Sequence, residues 1–108
     1  MPEKRARAAV RSWKKPGRLI PNPTGLRARA VRLKPGRGMD WHTTADRQEI
    51  LLALEGVIVV RYKSSTGSER RMRLPAGRAL FLPQGIEHCV QNFDADEALY
   101  VYVTGPAR

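Results

Sequence analysis

The sequence predicts an all-β sandwich or barrel, and three observations carry that expectation. Short runs rich in Val, Ile, Leu, Phe and Tyr recur along the chain; Gly, Pro and Asp-rich turns separate them; and no stretch has the sustained apolar period of a long helix. With 108 residues, 42% of them hydrophobic, the chain has room for one domain with one core. That apolar content is also too high for a disordered polymer.

Each element follows from local chemistry. In residues 1–17, Pro2, Pro16 and Gly17 limit any helix to a turn or two and no continuous apolar face forms, so this stretch is expected to be an arm. Pro21 to Gly25 has turn composition, and Leu26 to Lys34 then alternates as a half-buried strand does. Pro35 to Gly38 breaks it. A strand over Met39 to Thr44 places Asp40, His42 and Thr44 on one face and Met39, Trp41 and Thr43 on the other, by the two-residue period. Glu49 to Tyr62 is β-rich and interrupted at Glu55-Gly56, which predicts two strands joined by a tight turn. Lys63 to Glu69 is a polar loop. Strands follow at Arg70 to Leu74 and Arg78 to Leu82, with turns at Pro75-Ala76-Gly77 and Pro83-Gln84-Gly85. Ile86 to Phe93 and Ala98 to Thr104 close the series around Asp94 to Glu97.

Two spaced patterns stand out within this frame. Gly36, His42, Thr44, Glu49 and Gly56 are separated by five, one, four and six residues; Gly77, Pro83, Gly85, His88 and Asn92 by five, one, two and three. These resemble the two motifs of the cupin family, G-x5-H-x-H-x3,4-E-x6-G and G-x5-P-x-G-x2-H-x3-N, at nine of ten fixed positions. Thr44 stands where the family usually has a second histidine. The resemblance covers about residues 30 to 104. It narrows the fold to a jelly-roll barrel, or double-stranded β-helix, spanning residues 26–108 behind a basic N-terminal arm of residues 1–25. The motif glycines, Pro83 and Asn92 are expected to shape turns and strand ends.

In that family the motif histidines and glutamate point into the barrel and hold one divalent ion. Carried to this chain, the resemblance implies a metal site of His42, Glu49 and His88, with Glu49 also the candidate catalytic base. Two imidazoles and one carboxylate suit iron, nickel, manganese or zinc, whereas an all-oxygen set suits calcium or magnesium. A neutral threonine hydroxyl is a poor substitute for imidazole, so three ligands remain and open positions are left for water, substrate or dioxygen. Tyr100 and Tyr102 share a face of the last strand and, with Phe81, Trp41 and Met39, are candidates for the pocket mouth. Asp40 and Gln48 are candidates to orient a ligand, and Thr44 to line the pocket.

Charge separates the chain into two parts. Residues 1–37 hold 12 of the 20 Lys and Arg against Glu3 alone, while residues 38–108 hold 8 basic against 9 acidic residues. Three functions follow for testing. The first is a metal-dependent enzyme acting on a small molecule by dioxygenase, isomerase or lyase chemistry. The second is a non-catalytic ligand-binding or sensor module with a degenerate metal site. The third is an interaction protein whose basic arm binds nucleic acid. The longest apolar run, Ile50 to Leu54, is far short of the ~20 residues a membrane-spanning helix needs. The N-terminus has no apolar signal stretch, and the single Cys89 excludes an internal disulfide, so a reducing, cytoplasmic setting is expected. A homodimer is expected to form through the strand edge at Leu26 to Lys34.

Overall fold

The computed structural model describes residues 8–20 and 25–107; the first seven residues of the basic arm and residues 21–24 of the Pro21 to Gly25 turn lie outside them. The described residues form nine strands and no helix: β1 Gly17–Arg18, β2 Arg27–Leu33, β3 Gly38–Thr43, β4 Arg47–Glu55, β5 Val57–Lys63, β6 Glu69–Pro75, β7 Ala79–Leu82, β8 Glu87–Gln91 and β9 Ala98–Pro106. They assemble into two antiparallel sheets, ordered β1-β2-β9-β4-β7 and β3-β8-β5-β6. The all-β class and its two-sheet architecture are those the sequence predicts.

The core lies between the sheets. Leu33, Leu51, Ala53, Leu82 and Tyr100 from the larger sheet meet Ile58, Val60, Leu74 and Val90 from the smaller. Alternation accounts for this: Leu51 and Ala53 are buried while Ile50 is partly exposed, as the two-residue period requires. A second cluster of Ala30, Leu99 and Val101 packs against Leu19, which follows β1 in the leader.

Three features depart from the sequence reading. The Glu55-Gly56 turn joins two strands of different sheets, β4 and β5, so it is a corner between layers. Gly56 has φ 71° there, and a Cβ would stand 2.6 Å from the Glu97 carbonyl oxygen. Next, the edge of β2 is partly covered, because Gly17 and Arg18 pair with Ala30 and Arg29 and the Leu19 amide donates to the Ala28 carbonyl. The expected dimerisation edge is therefore occupied by the chain's own leader over these residues. Arg32 reinforces the docking by donating to the Lys14 carbonyl at 2.9 and 3.2 Å. Finally, β3 slips register against β8 between Met39 and His42. The extra residue at Asp40-Trp41 breaks the alternation expected over Met39 to Thr44.

Candidate metal centre

That bulge decides which side chains meet. Met39 pairs with Val90 and His42 with His88, so Met39 and His42 share the inward face, and Asp40 does not share it as expected. The two imidazoles lie on neighbouring strands with ring centroids 4.2 Å apart. Glu49 approaches from β4 in the opposite sheet, its Oε2 3.6 Å from His88 Nε2. One ligand atom from each of His42, Glu49 and His88 lies within 4.8 Å of the others.

Backbone carbonyls orient both rings. His42 Nδ1 is 2.8 Å from the Asp40 carbonyl oxygen and His88 Nδ1 is 3.1 Å from that of Ile86. A carbonyl only accepts, so each Nδ1 carries the donated proton and each neutral ring keeps an Nε2 lone pair for a ligand. Asp40 thus orients His42, through its main chain. His88 is fully buried, and its Nε2 has no hydrogen-bond partner among the described residues; 3.6 Å to Glu49 is too long for one. A buried polar atom left unpaired costs about 1–3 kcal/mol. A divalent ion would give this nitrogen the partner it needs. Ligand atoms bound about 2.1 Å from one tetrahedral ion stand roughly 3.4 Å apart, so side-chain adjustments of about 1 Å bring the three donors to coordination distance.

Burial works against a charged His88 ring, but the Glu49 carboxylate and the Ile86 carbonyl outweigh it and raise the ring's pKa above the ordinary histidine value. Burial, with help from Tyr102 and Glu49, likewise pushes the Tyr100 phenol well up, keeping it protonated.

The other expected residues divide. Thr44 is buried and its hydroxyl is committed, donating to the Pro83 carbonyl at 3.0 Å and accepting from the Ile86 amide at 3.0 Å. Tyr100 lies in the core, with the Tyr102 ring centroid 6.4 Å from its own. Gln48 points to the opposite face from Glu49 and donates to the Pro106 carbonyl at 2.7 Å. Phe81, expected at the pocket, is 56% exposed and paired with Ile50 on the outer face of the larger sheet. Trp41 is also outward, its ring under Arg61 and Lys63. Strand alternation alone could not place Phe81, since it leaves open which face of a strand is inner.

A cavity of about 520 Å³ opens beside Glu49, the one member of the trio in its wall, and Thr44 lines it too. Its wall also includes Arg18, Arg27, Arg29, Arg47 and Tyr102. The sequence reading misses these arginines, three of which count there only toward the charge of the basic first 37 residues. The signal is present all the same: Arg27 and Arg29 alternate in step with Val31 and Leu33, which packs in the core.

No protein-family model matches the chain, and no curated protein does either. Solved structures do. TT1209 from Thermus thermophilus is 28% identical, with 91% of this chain and 90% of that one covered at a TM-score of 0.71. The Cnp3 cupin domain of Schizosaccharomyces pombe is 14% identical, covering 83% and 59% at 0.73. An oxalate oxidase is 22% identical, covering 77% and 43% at 0.71. The chain thus spans about half the length, or less, of several structures it matches. Among the described residues no helix is long and apolar enough to cross a membrane.

Proposed function

The chain has the cupin fold, and from that premise we propose that it binds one divalent transition ion through His42, Glu49 and His88 and acts on a small molecule held in the adjoining cavity. The observation that carries this reading is the buried His88 Nε2, unpartnered among the described residues and aimed at a carboxylate from the other sheet. A bound iron, nickel, manganese or zinc ion would supply Lewis-acid polarisation of a substrate oxygen, or a site for dioxygen.

The chain's own residues do the rest. The Asp40 and Ile86 carbonyls hold both imidazoles in one tautomer. Glu49 faces both the cavity and His88, so it is placed to take a proton from a bound substrate and is the candidate base. Tyr100 stays protonated close by and supplies no base. Dioxygenase, isomerase and lyase chemistries share these parts, and fold alone does not choose among them.

One observation favours a second reading, a ligand-holding module without turnover. Thr44, which stands where a further ligand would be, is committed to structural hydrogen bonds, and Glu49 is the single carboxylate among the described residues lining the cavity. Metal content decides the first question. Protein purified without a histidine tag should carry about one equivalent of a transition metal by elemental mass spectrometry, and His88→Ala should lose it. Wild type that stays empty after reconstitution with iron, nickel, manganese and zinc would overturn the metal reading.

A further inference from the structure

We infer that the cavity beside Glu49 selects a small organic anion, whose carboxylate or phosphate group is held by arginines of the cavity wall, chiefly Arg27 and Arg29. The inference deepens the proposed function by naming its substrate class, and it rests on reading this cavity as the substrate site.

The inner faces of three neighbouring strands change character in the same direction. On β2 the order runs Leu33, Val31, Arg29, Arg27; on β9 it runs Tyr100, Tyr102, Thr104; on β4 it runs Leu51, Glu49, Arg47. Register aligns them: Arg29 lies opposite Tyr102, Arg27 opposite Thr104, and Thr104 opposite Glu49. Arg29 therefore stands at the level of Tyr102 and Leu51, and Arg27 at the level of Thr104 and Glu49, so guanidinium groups flank the carboxylate where the apolar core gives way to the cavity, with Arg18 also in its wall. Four arginines face one carboxylate among the described lining residues.

Arginines elsewhere show what a structural role looks like in this protein. Arg32 pairs with Glu55 and Glu97, and Arg61 with Glu69. Arg47 is bound into the frame, donating to the Gly25 carbonyl at 2.7 Å and to Thr104. Arg18, Arg27 and Arg29 have no carboxylate partner among the described residues, yet they converge on a concave surface. Like charges gathered there repel one another, and their field concentrates anions in the cavity. The planar guanidinium fork matches the two oxygens of a carboxylate or phosphate. At about 520 Å³ the cavity suits a small metabolite and not a polymer.

The test is calorimetric titration of metal-stripped protein at constant ionic strength, with malonate, inorganic phosphate and the neutral malonamide as probes. Stripped protein separates this inference from the metal reading, whose failure is read independently as absent metal in untreated protein. Malonate or phosphate should bind and malonamide should not, and whichever anion binds more tightly identifies the headgroup. Arg29→Gln and Arg27→Gln should each weaken binding by roughly tenfold or more, Arg29→Lys by less, and Arg70→Gln on β6 should change nothing. Thermal unfolding of each variant checks that it is folded. Equal binding of malonate and malonamide, no binding of either anion, or equal weakening by Arg70→Gln would overturn the inference.

Discussion

Thr44 shows how one residue can change role without leaving its place. Where the family motif usually has a histidine, this chain has a hydroxyl that ties together the Pro83 carbonyl and the Ile86 amide. Ile86 in turn presents the carbonyl that orients His88, so the clamp holds the second motif's turn beneath its own histidine. Its partners lie 39 and 42 residues away along the chain, which is why spacing could identify the substitution and not its purpose. Thr44→Val keeps the shape and removes both bonds, leaving a part-buried amide unpaired. It should cost about 1–3 kcal/mol in urea unfolding while metal content stays that of wild type. Loss of metal with unchanged stability would make Thr44 a ligand instead.

At the scale of elements, periodicity and the glycine and proline turns between apolar runs locate β2 to β9. Less legible are the features that depend on partners. Two-residue β1 has no pattern of its own and exists because β2 offers an edge. The β3 bulge is invisible to alternation, so the two-residue period puts His42 and Asp40 on one face where the structure separates them. The corner at Gly56 looks locally like a hairpin turn; strand pairing shows the change of sheet, and Glu97 and Ala98 approach the glycine closely there. That approach is testable against a control. Gly56 and Gly67 both have positive φ, 71° and 88°, but a Cβ on Gly67 would meet nothing within 4 Å. Gly67→Ala should cost about 1 kcal/mol from backbone strain alone, whereas Gly56→Ala should cost more than about 2, since backbone must also move. Equal losses in denaturant unfolding would show that the close contact is immaterial.

Over the whole molecule, the candidate site joins the two layers: His42 and His88 belong to the four-stranded sheet and Glu49 to the five-stranded one. Part of the charge split visible in the sequence also acquires a location, with Arg18, Arg27 and Arg29 of the basic first 37 residues lining the cavity. Because the site spans the sheets, its protonation should register in global stability. In the metal-free chain His88 has its pKa raised in the folded state: burial opposes the charge, and Glu49 and the Ile86 carbonyl more than offset it. A raised folded pKa adds stability that is complete below the unfolded value of about 6.5 and disappears as pH rises through the folded value. Glu49→Gln removes the partner charge and should abolish that increment. Metal-stripped wild type should therefore exceed Glu49→Gln in stability most at about pH 6, with the gap narrowing steadily towards pH 9 in urea unfolding. A gap independent of pH would mean that Glu49 supports the fold by packing, and that no charged pair links the two sheets.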